Sequence, residues 1–129
     1  MPKAIRIHAN GGPDVLTYED VEVGAPGPGE VKIRQTAIGL NYIDIYYRTG
    51  LYKAPAGLPL IPGGEGAGVV LEVGEGVSGF KPGDRVAYVV ALGGYAEERL
   101  VPAERLVHVP DNVSDQVAAA VMLKGMTVE

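Results

Sequence analysis

The chain has 129 residues, 47% of them hydrophobic and 21% charged, which is the length of one domain with a sizeable core. Its 19 glycines and 10 prolines exceed the usual share and indicate many short elements joined by tight turns, which argues against a helical bundle and against a disordered chain. The absence of cysteine excludes disulfides and thiolate-ligated zinc, and the net charge of −5 offers no basic surface for nucleic acid.

The first part of the chain alternates between apolar and polar residues, which predicts three β-strands. The predicted strands cover 5–8, 16–23 and 30–37. Clusters of glycine and proline at 10–14 and 24–29 separate them, because glycine tolerates positive φ and proline presets the next φ.

The period changes at Asn41, where a short helix that ends at Gly50 is predicted. Asn41 is a suitable N-cap, Asp44 lies in the first turn, and Gly50 is a C-terminal stop. Tyr42 and Tyr46 are four residues apart and therefore lie on one face of this helix.

The second half of the chain returns to a β pattern. Residues 51–66 are rich in proline and glycine and are predicted to form a long ordered loop, of a kind that is often functional. Further strands are predicted at 69–73, 85–90, 95–101 and 106–109, and Ser114 is a suitable N-cap for a final helix. This number of short strands indicates a small antiparallel barrel or sandwich.

The glycine-rich stretch 64–68 surrounds one acidic residue, Glu65. A phosphate-binding loop is disfavoured, because such a loop opens a helix whereas this stretch leads into a strand. Two interpretations of Glu65 stay open: a structural carboxylate that shapes the loop, or a functional one. His8 and His108 are both expected at the surface, and they leave little for a histidine-based metal centre.

These motifs together resemble the zinc-independent, zeta-crystallin-like quinone oxidoreductase branch of the medium-chain dehydrogenase/reductase superfamily. The segments that carry the resemblance are 11–16, 37–44, 48–52, 64–70, 73–77, 81–86 and 123–127. The resemblance implies a mainly β fold with short helices, a GroES-like partly open antiparallel β-barrel. Residues 1–114 would form this barrel domain and 115–129 the start of an interdomain helix.

The resemblance also implies site residues and a reaction. Hydride would pass from NADPH to a quinone-like acceptor, with the cofactor carrying the chemistry. Residues that would bind the cofactor are Asn41, Tyr42, Ile43, Asp44, Ile45, Tyr46 and Thr127. Tyr46 and Tyr52 are the candidates on the acceptor side, where an aromatic ring can stack on a quinone. Asn41 and Gly64 stand where the zinc-dependent relatives have cysteine and histidine, and neither residue is a zinc ligand.

Other interpretations stay open at this stage. A related zinc-independent enoyl or enone reductase would share the motifs, and a GroES-like barrel can also be a non-catalytic interaction module. The tyrosine-bearing helix would then only plug one end of the barrel, and Asp44 and Arg48 would form a surface ion pair.

We also hold expectations about the protein as a whole. The dinucleotide-binding Rossmann fingerprint is missing from the 129 residues, so we expect a truncated chain that is inactive alone. No apolar run reaches the roughly 20 residues needed to span a bilayer. Because no signal-peptide core precedes the first alternating residues, we expect a cytoplasmic location, and we expect a homodimeric parent protein.

Overall fold

A computed structural model describes residues 2–39, 41–50, 58–90, 92–110, 112–114 and 117–119; in the helix it describes only the backbone at residues 42 and 43. The described residues include seven strands and one α-helix of more than one turn. The strands are β1 Lys3–Ile7, β2 Leu16–Asp20, β3 Glu30–Ile38, β4 Glu65–Val73, β5 Arg85–Val89, β6 Glu98–Pro102 and β7 Leu106–His108. The helix, α1, is Tyr42–Thr49, and two single-turn 3-10 helices lie at Pro13–Val15 and Ala103–Arg105.

The strands form two antiparallel sheets. The smaller sheet pairs β1 with β2, and the larger one has the order β6-β3-β4-β5-β7. Single bridges from Ala4 to Ala96 and from Ile7 to Leu60 join β1 to the rest of the molecule. The described strands do not close into a complete barrel, which agrees with the predicted mainly β, partly open architecture.

The core is built mainly on the larger sheet, and every strand of that sheet contributes to it. Its main cluster consists of Val31, Ile33, Val70, Val86, Tyr88, Val101 and Leu106, all less than 9% exposed. Burial of each aliphatic side chain of this kind contributes about 1.5–3 kcal/mol. A second cluster joins β4 and β5 to the final helical residues through Ala67, Ala87, Val109, Ala118 and Ala119.

Strand β4 begins at Glu65, four residues earlier than predicted. The glycine-rich stretch therefore belongs to the central strand, paired with β3 on one side and β5 on the other. A side chain at Gly66 would place its Cβ 2.5 Å from Gln35 Oε1 and 2.8 Å from the Tyr88 hydroxyl. Glycine at this position thus gives room to the neighbouring side chains, and it is not a sign of a turn.

The start of the final helix and the two histidines are as predicted. Ser114 Oγ accepts a hydrogen bond from the Val117 amide at 3.2 Å, which is the bond that an N-cap makes, and 117–119 are helical. His8 and His108 are exposed. In the described part of the chain, no helix has the length and apolar character needed to cross a membrane.

Candidate active site

Helix α1 starts beside the first residue of β4. Asn41 has extended backbone angles (φ −140°, ψ 158°) and is the N-cap, as predicted. Its backbone amide donates to Asp44 Oδ2 at 3.1 Å, so that the first turn is tied to its own cap. Gly50, at φ 89°, ends the helix in the left-handed conformation, again as predicted.

The Asn41 side chain is held by a buried carboxylate. Asn41 Nδ2 donates to Glu65 Oε1 at 2.8 Å, and Glu65 is only 1% exposed. The Glu65 carbonyl also accepts a hydrogen bond from the Gly39 amide at 3.0 Å. Because a buried carboxylate is costly unless it is hydrogen-bonded, the Asn41 amide both satisfies Glu65 and is oriented by it. The structure thus gives Glu65 a side-chain partner at the N-cap of α1, and both the structural and the functional interpretation of this carboxylate stay open.

Space for the Glu65 carboxylate comes from Gly39. A Cβ at this position would lie 2.6 Å from Glu65 Oε1 and 2.7 Å from its Cδ. Real Cβ atoms essentially never make contacts this short, so a side chain at position 39 would require the Glu65 side chain to shift. The position two residues before the N-cap thus has a role that the sequence pattern alone did not indicate.

Asp44 is buried, which corrects the interpretation of Asp44 and Arg48 as a surface ion pair. Asp44 is 5% exposed, and its Oδ2 accepts a second hydrogen bond, from the Tyr95 hydroxyl at 2.7 Å. Arg48 Nε instead donates to the Gly11 carbonyl at 3.3 Å. Asp44 points inward on the helix, and there the Tyr95 hydroxyl provides a hydrogen bond that a buried carboxylate needs.

Burial, followed by the neighbouring Asp44 carboxylate, raises the pKa of the Tyr95 hydroxyl above its ordinary value. The hydroxyl therefore stays protonated at neutral pH and remains a donor to Asp44. The second oxygen of Asp44, Oδ1, is buried and has no hydrogen-bond partner among the described residues. The Tyr95 hydroxyl consequently provides one of the two hydrogen bonds that the Asp44 carboxylate accepts from the described residues.

The outer face of α1 carries the other predicted residues. Ile45 is 38% exposed and Tyr46 is 37% exposed, so neither side chain belongs to the buried core. Residues 42 and 43 lie in the helix as backbone only, and Tyr52 and Thr127 lie outside the described residues. The roles of all seven predicted cofactor residues and of Tyr46 and Tyr52 on the acceptor side remain predictions.

A second polar network lies next to this site and was missed by the sequence reasoning. The hydroxyl of the fully buried Tyr88 donates to Gln35 Oε1, and Gln35 Nε2 donates to the carbonyls of Gly94 at 2.7 Å and Ala96 at 2.8 Å. Burial raises the pKa of Tyr88. Polar residues at core positions of strands 30–37 and 85–90 were the available signal, since a buried amide and phenol need partners.

A cavity of about 470 Å³ is lined in part by Tyr95. Its walls come mainly from β1, β3 and the segment 95–97, and Tyr18 of β2 also lines it. The predicted cofactor residues 41–46 are not among them. Elsewhere, no group of three or more histidine, aspartate or glutamate side chains in the described part of the chain could hold a metal ion.

Comparison with known proteins agrees with this architecture. The family model of the alcohol dehydrogenase GroES-like domain matches residues 27–111. The quinone oxidoreductase of Pseudomonas aeruginosa is 55% identical over 130 residues, covering 100% of this chain and 40% of that protein. The 2-haloacrylate reductase of a Burkholderia species is 47% identical over 134 residues, again covering 100% of the chain and 40% of the relative.

A solved structure gives the same picture. The quinone oxidoreductase of Escherichia coli complexed with NADPH superposes with a TM-score of 0.94 at 42% identity, covering 98% of this chain and 39% of that one. The chain belongs to the alcohol dehydrogenase GroES-like domain family. The resemblance to quinone oxidoreductases of the medium-chain superfamily is also confirmed. The chain spans about 40% of the length of the relatives it matches.

Proposed function

We propose that this chain supplies the barrel side of the active site of an NADPH-dependent quinone oxidoreductase, which transfers hydride from NADPH to a quinone-like acceptor. The observation that carries the proposal is the Asn41 amide, held 2.8 Å from the buried Glu65 carboxylate at the start of α1. Support for the cofactor comes from the similarity to a quinone oxidoreductase of known structure in complex with NADPH.

In this proposal, Asn41 orients the nicotinamide. NADPH, when bound, supplies the hydride. One N–H of the Asn41 amide is engaged by Glu65, which leaves the second N–H to donate to the carbonyl oxygen of a planar amide ligand. The buried carboxylates of Asp44 and Glu65 add negative charge nearby, which favours the cationic, oxidised nicotinamide that hydride transfer produces.

The remaining predicted residues have supporting roles in the proposal. Tyr42, Ile43 and Ile45 would line the nicotinamide pocket together with Asn41 and Asp44, and Thr127 would contact the cofactor from the final helix. Tyr46, which is 37% exposed, and Tyr52 would stack on the acceptor. Stacking fixes the distance between donor and acceptor carbons, which governs the rate of hydride transfer.

A quinone is the proposed acceptor because it is already electron-poor. Oxidation of a simple alcohol needs a Lewis acid such as zinc. Neither the amide of Asn41 nor the hydrogen of Gly64 provides the thiolate or imidazole that zinc takes as ligands, so the residues present do not fit a zinc site. We therefore propose a zinc-independent reaction.

An activated enone is the second candidate acceptor. It is favoured by the 47% identity to a 2-haloacrylate reductase. A carbon–carbon double bond conjugated to a carbonyl accepts hydride by the same geometry as a quinone. A panel that contains quinones and α,β-unsaturated carbonyl compounds would therefore discriminate between the two.

The proposal also includes the need for a second unit. The sequence of 129 residues does not contain the dinucleotide-binding unit in which a strand is followed by a glycine fingerprint and then by a helix. We propose that residues 1–114 form the barrel domain, that 115–129 begin the connection to the cofactor domain, and that the 129-residue chain alone is inactive. The active protein would be a cytoplasmic homodimer.

The test uses the full-length gene product that contains this chain, with the 129-residue chain assayed in parallel. Loss of NADPH absorbance is followed with quinones and with enones, and gain of NADPH absorbance is followed with alcohols and NADP⁺. Each assay is run before and after dialysis against a chelator. We expect quinone reduction that survives chelation in the full-length product, and none in the 129-residue chain. A loss of activity on chelation, or a preference for alcohols, would contradict the proposal.

A further inference from the structure

We propose that Tyr95 is a positioning residue for Asn41, acting through the carboxylate of Asp44. This inference rests on the proposed function, in which Asn41 orients the nicotinamide, and it adds a residue to that site from a distant part of the chain. Tyr95 is 51 residues from Asp44 in the sequence. Tyr95 lies in the segment before β6, and its hydroxyl bonds to Asp44 in the first turn of α1. It therefore connects the start of the helix to the sheets.

Tyr95 is itself firmly held. Its backbone amide donates to the Pro62 carbonyl at 2.8 Å, and its carbonyl accepts from the Ile5 amide at 2.8 Å. One of these bonds reaches the segment that precedes β4, and the other reaches β1. The tyrosine is therefore fixed relative to both sheets, and its hydroxyl provides a defined point to which the helix can attach.

The Asp44 carboxylate transmits this position to Asn41. The same oxygen, Oδ2, accepts the Tyr95 hydroxyl at 2.7 Å and the Asn41 backbone amide at 3.1 Å. The other oxygen, Oδ1, is buried and has no partner among the described residues. Loss of the Tyr95 hydroxyl would leave Asp44 with a single hydrogen bond from the described residues, and the carboxylate would move to regain another.

Asn41 thus has two separate anchors. Its side chain is held by Glu65, and its backbone is held by Asp44, whose position depends on Tyr95. The direction of the amide depends on both. Because a small displacement of a positioning group lowers the rate of a transfer step more than it weakens ligand binding, the expected signature is a change in kcat.

The test compares Tyr95→Phe with Tyr18→Phe in the full-length gene product. Both variants lose one hydroxyl and keep the ring, and Tyr18 is 65% exposed and lies outside the proposed site. We expect Tyr95→Phe to lower kcat for quinone reduction about ten-fold with little change in KM for NADPH, and Tyr18→Phe to change neither. Asp44→Asn, a second variant of the same path, should lower kcat, and addition of Tyr95→Phe to it should have no further effect.

A readout that does not depend on activity is the NMR of the backbone and side-chain amides of Asn41. In Tyr95→Phe these signals should shift and the backbone amide should exchange faster with solvent, while Tyr18→Phe should leave both unchanged. If the Asn41 signals respond but the wild-type protein reduces no acceptor with NADPH, the positioning role stands and the proposed function fails. Unchanged Asn41 signals in Tyr95→Phe, or a fall in kcat that persists at full size in an Asn41→Ala background, would overturn the inference.

Discussion

Two carboxylates of this molecule each accept two hydrogen bonds, but from different kinds of donor. At the surface of the smaller sheet, Glu19 accepts from Arg6 Nε at 2.6 Å and faces His8 Nε2 at 2.7 Å. The hydrogen bond from Arg6, and next that from His8, lower the pKa of Glu19. Water is available to replace these partners, so pairs of this kind add little to stability.

The buried carboxylate of Asp44 has neutral donors instead, the Tyr95 hydroxyl and the Asn41 amide. Neutral donors do not cancel the charge, and the burial of Asp44 keeps solvent from replacing them. If one partner is removed, the carboxylate stays buried without that hydrogen bond, and the folded state loses the free energy that the bond had supplied against desolvation. The comparison teaches that the network at the start of α1 is the one in which single substitutions should have large effects on stability and on the site.

The largest effect is expected for Gly39→Ala, because the added methyl group would occupy the space of the Glu65 side chain. The added Cβ would lie 2.6 Å from Glu65 Oε1, so the carboxylate must move away from Asn41. We expect the free energy of unfolding to fall by about 1–3 kcal/mol, and kcat of the full-length product to fall with it. Urea denaturation gives the first quantity.

Gly12→Ala is the matched control for this substitution. Its Cβ would lie 3.4 Å from Asp14 Oδ1, and its backbone has φ −80°, which alanine adopts without strain. We expect a change of less than about 0.5 kcal/mol. Equal destabilisation by the two alanines would show that the space beside Glu65 is not restricted.

Asn41→Ala should have the next largest effect. It removes the hydrogen bond to the buried Glu65 and the polar cap of α1. Hydrogen bonds to charged groups contribute about 1.5–3 kcal/mol, so a loss of about 2 kcal/mol is expected by urea denaturation. Asn112, which is exposed, provides the control variant Asn112→Ala, and a loss of similar size there would contradict the assignment.

Much of this architecture was predictable, because its signals are local. The alternation that predicted strands near 30–37 and 85–90 reflects which side chains face the core. The limits of α1 followed from Asn41 and Gly50, since capping depends on residues within one turn. Family motifs then extended the prediction from elements to a fold.

The contacts that build the site were not predictable in the same way, because they join distant residues. Asn41 and Glu65 are 24 residues apart, and Asp44 and Tyr95 are 51 apart. A pattern at helical spacing indicated a surface ion pair for Asp44, whereas its partner lies in another segment. Long-range partners of this kind have no period in the sequence, and only packing of the sheets brings them together.

Tyr88→Phe extends the comparison to the Tyr88–Gln35 network, which is buried but contains none of the predicted site residues. The substitution keeps the ring, on which the Arg99 guanidinium lies 4.8 Å from the centroid, and removes the donor to Gln35. We expect about 1–2 kcal/mol of destabilisation, because Gln35 Oε1 loses the Tyr88 donor. Thermal unfolding beside the exposed control Tyr18→Phe tests this, and a shift no larger than that of the control would contradict it.

The smallest effect is expected for Glu19→Gln, which tests the surface carboxylate of the comparison. The pKa of Glu19 is lowered in the folded protein, so its ion pairs contribute above the pKa of the unfolded chain and are lost as the pH falls through the folded pKa. The difference in unfolding free energy between the wild type and Glu19→Gln should therefore be small at neutral pH and vanish in acid. Urea denaturation over a pH series measures it, with the exposed Glu22→Gln as control. A difference that grows as the pH falls would require the Glu19 carboxylate to be destabilised in the folded state, as a buried acid without cationic partners would be.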